Sequence, residues 1–269
     1  MSKNKIHIHL EKISKKIRKD IIQILYNAQS GHSGPSLSIV EILVYLFFSK
    51  KIYRDFSQRH NFVLSKGHAV PALYSILFNL NYISKKDMAS FREIGSKLQG
   101  HPDRTKLKYV ELGTGALGQG LSVSIGFSIA NNLLKNKKKS YCIIGDGEMQ
   151  EGQIWEAAMY AGANKLNNLC VVLDNNKMQN ETLTRKTLNV LPIKDKWESF
   201  NWRVHDIDGH SFKDINNAFE KFEKEKNKPT MIIANTVKGK GISFMENSAD
   251  WHSKVLDKKN YLLAIKKLI

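Results

Sequence analysis

Gly145-Asp146-Gly147-Glu148, followed 27 residues on by Asn175-Asn176, decides how this chain is read. The preceding Tyr141-Cys142-Ile143-Ile144 is an apolar run of strand length, and residues 151–165 have helical character. Asp146 therefore falls at the C-terminal end of a strand, the edge at which open α/β sheets bind ligands. A second apolar run, Leu169-Cys170-Val171-Val172-Leu173, ends in Asp174-Asn175-Asn176, so that two strand tips converge. Mg²⁺ seeks oxygen ligands in an octahedral shell that it commonly shares with phosphates. Asp146 offers a carboxylate, Asn176 a carboxamide oxygen and Met178 a backbone carbonyl, a set suited to a metal diphosphate. A tight turn with a capping Asp and an Asn-rich loop is the plainer account of the same residues.

Outward from these motifs, helical and strand patterns alternate, which predicts an α/β fold around a mostly parallel sheet with helices on both faces. Residues 10–28 form an amphipathic pattern, and residues 36–49 an apolar helix opened by Ser36 as N-cap. Phe62-Val63-Leu64, Arg203-Val204-His205-Asp206-Ile207 and Thr230-Met231-Ile232-Ile233-Ala234 read as strands. Helices are expected after residues 65–68, after 113–120, over 211–226 and over 256–269. Glycines gather at strand-to-helix junctions, where backbone must approach a ligand closely.

Composition narrows the function. The 269 residues, 42% of them hydrophobic, suffice for one large core, and no Pro-rich or Gly-rich linker divides them. The Lys-rich start and the lack of a long apolar run support neither secretion nor a membrane span, so a cytoplasmic protein is expected. Cys142 and Cys170 sit in apolar strands and read as small core residues. A net charge of +17 invites a nucleic-acid role, but 35 of the 42 basic residues are scattered lysines, whereas phosphate recognition favours clustered arginine. The densest run, residues 135–139, reads as a solvated loop.

The stretch GDGEMQEGQIWEA (residues 145–157) with its later Asn pair resembles the thiamine diphosphate signature in the form found in the transketolase family. Five further blocks follow that family's order: SGHSG (residues 30–34), LSKGH (64–68), Gly100-His101-Pro102, GTGALGQG (113–120) and Trp251-His252. The resemblance implies the thiamine diphosphate-binding fold, with thiamine diphosphate held through Mg²⁺ on Asp146, Asn176 and Met178. It places Gly115, Ala116, Leu117, Gly147, Glu148, His68 and His252 against the cofactor. By the same resemblance, His32, His68, His101 and His252 are expected to face the sugar, with His32 and His252 assigned to proton transfer and donor binding. His7, His9, His60, His205 and His210 have no such context. The implied reaction moves a two-carbon ketol unit from a ketose phosphate to an aldose phosphate.

Three positions depart from the family's pattern: Ser33 and Ala116 stand where Pro is usual, and Pro35 where a small residue is common, which bears on loop rigidity. Glu151 and Glu156 resemble a carboxylate relay between paired sites, or are first-turn glutamates favoured by the helix dipole. Whole transketolases are more than twice as long and carry a second, pyrimidine-binding domain. The expectation is therefore that residues 1–269 form a single diphosphate-binding domain, partnered by a separate C-terminal subunit in an α2β2 assembly. A truncated longer protein is the alternative. Most sugar-phosphate-binding arginines are expected on the other half. Rival readings are a subunit of another acyloin-forming enzyme similar to deoxyxylulose phosphate synthase, and a non-catalytic interaction protein.

Overall fold

The computed structural model describes residues 3–53, 58–180 and 182–268. Strands β1 (Asn61–Leu64), β2 (Ser140–Gly145) and β3 (Leu169–Asn175) are followed by a small antiparallel pair, β4 (Met178–Gln179) and β5 (Thr182–Leu183). Strands β6 (Arg203–Asp208) and β7 (Thr230–Asn235) complete a five-stranded parallel sheet of order β1-β2-β3-β7-β6. Strands covered on both faces read as unbroken apolar runs rather than alternating ones. Tyr141 and Ile143 of β2 join one core, with Cys170 and Val172 of β3; Cys142, Ile144, Val171 and Leu173 join the other. Helices Lys3–Ala28, Val70–Asn79 and Phe212–Lys224 cover the first face, and Gln119–Leu133, Gly152–Ala163 and Ile193–Ser199 the second. The expected architecture, with helices on both faces, is the one found.

Parallel register places every strand's C-terminal end along one edge. Leu64 lies beside Ile143, Gly145 beside Asp174, and Asn175 beside Asn235. Ser65, Asp146, Asn176 and Thr236 consequently leave the sheet close together.

The helix expected over 36–49 differs. It begins at Ser33 with His32 as N-cap, and runs as Ser33–Ser38, Val40–Val44 and a π-turn Tyr45–Ser49. Pro35 fits the first turn, where a missing N–H costs nothing. Ser36 is inside the helix, its hydroxyl donating to the His32 carbonyl at 2.6 Å. The first helix starts at Lys3, with Ile6 and Ile8 exposed, so it extends beyond the packed segment that hydrophobic periodicity detects. The last helix is Lys258–Lys267, capped by Asp257, whose carboxylate accepts from the Asn260 amide at 2.7 Å. Ile269 lies outside the described residues.

Candidate active site

Asp146 is almost fully buried just past β2; its Oδ1 accepts from the Gly147 amide at 2.8 Å, while Oδ2 has no partner. Burial, reinforced by Asp174, pushes this carboxyl up to about 7. Asn176 donates through Nδ2 to Asp174 at 3.0 Å and accepts the Met178 amide on Oδ1 at 3.0 Å, which leaves Oδ1 one lone pair. Asp174 is itself fully buried and ties four elements together. It accepts from Ser38 at 2.6 Å, and from Lys66, Thr236 and Asn176. Burial drives the Asp174 carboxyl up, but the Lys66 ammonium and these hydrogen bonds outweigh it and hold the group below the usual range.

Four histidines from four separate segments meet above this floor. The His32 ring is 5.4 Å from His68, 5.3 Å from His252 and 6.3 Å from His101, and His68 is 5.3 Å from His252. Burial lowers all four, helped by neighbouring basic groups: His32 to about 4 through His101 and Arg92, and His252 to about 3 through Lys238 and His32. His68 is pushed well down by burial and Lys66, and His101 down by burial and Arg92. Neutral imidazoles at pH 7 each keep one N–H donor and one lone pair. The Nδ1 atoms of His32 and His252 are buried without a partner.

A cavity of about 310 Å³ joins these parts. Of the residues singled out from the sequence, His32, His68, His252, Asp146, Asn176 and Met178 line it; so do Gly115, Leu117, Gly147 and Glu148. His101 and Ala116 border an adjoining open cavity that shares Gly115. Glu148 has a structural part that its motif does not announce. Its carboxylate accepts from Ser65, from the Gly118 amide at 2.9 Å and from the Gly145 amide at 3.0 Å, so it fastens three loops. One of those amides belongs to the N-cap of helix Gln119–Leu133; the anion found at that terminus is this carboxylate. Glu151 and Glu156 are exposed, and Glu151, the N-cap of helix Gly152–Ala163, makes no side-chain cap bond.

Ser33 compensates for the expected Pro by donating to the Trp251 carbonyl at 3.3 Å. Beside it, a Cβ on Gly34 would lie 2.7 Å from that same carbonyl, so glycine admits the segment that carries His252. Lys66, Asp174, Gln179 and Lys238 are not singled out by the sequence reading. Lys238 is fully buried with an unpartnered Nζ, and burial followed by Lys66 pulls its ammonium down to about 8. Its signal is a lysine within Lys238-Gly239-Lys240-Gly241 immediately past a strand end. Lys66 lies inside LSKGH, and Asp174 directly precedes the Asn pair.

The orphaned Asp146 Oδ2 and Lys238 Nζ suit a cation and an anion bound together. Among the described residues no three His, Cys, Asp or Glu side chains cluster as a metal site. A carboxylate, a carboxamide and a carbonyl form a set of another kind, open to phosphate oxygens.

Residues 10–268 match the family model for the transketolase thiamine diphosphate-binding domain. The chain belongs to the transketolase family. It is 38% identical over 263 residues to one subunit of the apulose-4-phosphate transketolase of Phocaeicola vulgatus, covering 96% of this chain and 93% of that one. A 6-deoxy-6-sulfo-D-fructose transketolase subunit of Clostridium sp. is 38% identical over 265 residues, covering 97% and 96%. The crystal structure of Campylobacter jejuni transketolase superposes with a TM-score of 0.89 at 32% identity, over 96% of this chain and 42% of that chain. The chain thus spans less than half the length of that single-chain transketolase. No helix among the described residues is long and apolar enough to cross a membrane.

Proposed function

We propose that this chain is one diphosphate-binding domain acting as a subunit of a two-chain transketolase, active with a separate pyrimidine-binding subunit in an assembly of two copies of each. The observation that carries this is the meeting of four neutral histidines above a buried, half-satisfied Asp146. Asp146, Asn176 and the Met178 carbonyl would hold Mg²⁺. Lys238 and Gly147 would face the diphosphate, and Gly115, Leu117, His68 and His252 the rest of the cofactor. Bound thiamine diphosphate supplies the electron sink for breaking and making a carbon–carbon bond beside a carbonyl. His32 and His252, whose rings line the cavity, accept and return sugar-hydroxyl protons at the ring nitrogen that faces it. Relatives that are themselves named as transketolase subunits, and are matched nearly end to end, support a partner chain. Their names also couple a ketol-transfer enzyme to different sugars, so the donor is proposed only as a ketose carrying a terminal anion.

The test is to mix the chain with its partner subunit, thiamine diphosphate, Mg²⁺, a ketose phosphate and an aldose phosphate, and to follow release of the shortened aldose. Ketol transfer should require both chains and vanish with Asp146→Ala. Full turnover by this chain alone, or by the Asp146→Ala assembly, would refute the proposal.

A further inference from the structure

His210 borders neither cavity of the candidate site, yet both of its ring nitrogens are bonded. Nε2 accepts from the Val237 amide at 2.9 Å, and since a backbone N–H can only donate, Nε2 carries no proton. The proton is on Nδ1, which donates to the Glu41 carboxylate at 2.9 Å. Glu41 is buried and meets the Arg18 guanidinium through both oxygens, at 2.7 and 2.9 Å. Burial raises the Glu41 carboxyl, but Arg18 and His210 outweigh it and hold it at about 2, so the carboxylate is ionised. The remaining nitrogen of that guanidinium, Nε, donates to the Lys240 carbonyl at 2.8 Å.

The two outer bonds of this network fall on Val237 and Lys240, on either side of Lys238 in the loop after β7. Glycines admit the contacts: a Cβ on Gly209 would lie 2.5 Å from Thr236 Cγ2, and one on Gly241, at φ +93°, 2.8 Å from Arg18 Cδ. The Lys238 stem runs along Gly34, where a Cβ would lie 3.0 Å from its Cγ. Its ammonium therefore ends among the groups of the site, adding to burial in lowering His32 and His252 and feeling the charges of Asp146 and Asp174. Nothing among the described residues bonds that ammonium, so its direction is set by the backbone and the stem. A lysine side chain is flexible, and ordering it at the moment an anion binds costs affinity unless it is already held.

We infer that His210, Glu41 and Arg18 are positioning residues: they hold the backbone on both sides of Lys238 and so keep its ammonium aimed at the bound diphosphate. The inference deepens the proposed function and rests on it for the identity of that anion. Its first test needs no ligand. The chain alone is treated with acetic anhydride, and labelling of each lysine is followed by peptide mass spectrometry; Lys66, buried and paired with Asp174, is the internal reference. In His210→Phe, Lys238 should be acetylated at least about tenfold faster relative to Lys66 than in the wild-type chain, as expected when a hydrogen bond to a charged group and one to the backbone are lost. An unchanged ratio means that both lysines open together, through general loosening or not at all, and overturns the clamp. If His210→Phe does not fold, Glu41→Gln is labelled in its place and judged by the same ratio.

The second test separates positioning from mere support. Thiamine diphosphate with Mg²⁺ is titrated calorimetrically into the assembled enzyme carrying the wild-type chain, His210→Phe, Lys238→Met or both changes. His210→Phe should weaken binding at least about tenfold in the wild-type background, and by less than about twofold once Lys238 is replaced, because both changes remove one interaction. Equal factors in the two backgrounds overturn the inference, whatever the labelling shows. Should the wild-type assembly bind no thiamine diphosphate, the transketolase proposal fails separately, and the labelling ratio alone decides whether the clamp holds Lys238.

Discussion

The proton transfer proposed for His252 and the effect of its ring on stability can each be measured. As a proton acceptor in the assembled enzyme, it should matter to turnover: His252→Asn is expected to lower kcat by about a hundredfold or more with little change in cofactor affinity. In the isolated chain its depressed pKa links folding to pH. An unfolded histidine takes up its proton near 6.5, whereas folded His252 refuses it until about 3 and folded His32 until about 4. Their contribution is fully present above 6.5 and is lost as pH falls toward those values. Asp146 has the opposite sign, because its carboxyl, raised from 3.8 to about 7, gains a proton on folding as the solution becomes acid. Asp20 and Glu148 are raised likewise, but these three carboxyls are outnumbered by the six lowered histidines, His32, His60, His68, His101, His205 and His252, so stability should fall on acidification. Urea unfolding at pH 7 and pH 5 should show His252→Asn losing about 2 kcal/mol less than the wild-type chain over that interval. Equal losses would mean that the His252 ring is not depressed.

Elements with a strong period are legible in the sequence, and those fixed by tertiary bonds are not. The strands β1, β2, β3 and β7 stand out as apolar runs because both faces of the sheet are covered, whereas β6, at one edge of the sheet, has only Val204 and Ile207 as apolar residues. The β4–β5 pair has two residues per strand, too short for any period, and the helices Thr184–Thr187 and Ile193–Ser199 are hidden in the same polar stretch. Within the site, histidines beside glycine are visible, whereas Asp174 and Lys238 become recognisable only when neighbouring strand tips surround them. Glu148 shows what residue type alone leaves out. An acid in a phosphate-binding motif suggests ligand contact, yet its two oxygens serve Ser65 and the amides of Gly118 and Gly145. Glu148→Ala would strand those buried donors at the ends of β1 and β2 and at the start of helix Gln119–Leu133. A loss of about 2–4 kcal/mol is expected, read as a lower midpoint in urea unfolding of the apo chain. A loss below about 0.5 kcal/mol would show that the three loops hold without it.

At the scale of the whole molecule, the sheet's C-terminal edge gathers the site while apolar side chains remain uncovered elsewhere. Helices Gln119–Leu133 and Gly152–Ala163 pack side by side on one face of the sheet, and Met159 and Tyr160 are about half exposed, with Leu133 and Leu134 three-quarters exposed. Glu151 and Glu156, the glutamates considered as a relay between paired sites, belong to the same outward region. A relay needs two copies of this helix face to face, and the proposed assembly contains two copies of this chain. In an isologous contact every residue is used twice. Burying one large apolar side chain contributes about 1.5–3 kcal/mol, so a charge placed there should cost about twice that, or at least a hundredfold in dissociation constant. Met159→Lys should therefore lower the mass of the assembled enzyme at micromolar concentration, measured by sedimentation velocity, while circular dichroism of the separate chain stays unchanged. A wild-type mass retained by the Met159→Lys assembly across its dissociation range would exclude this face from the contact between copies, and the relay role of Glu151 and Glu156 with it.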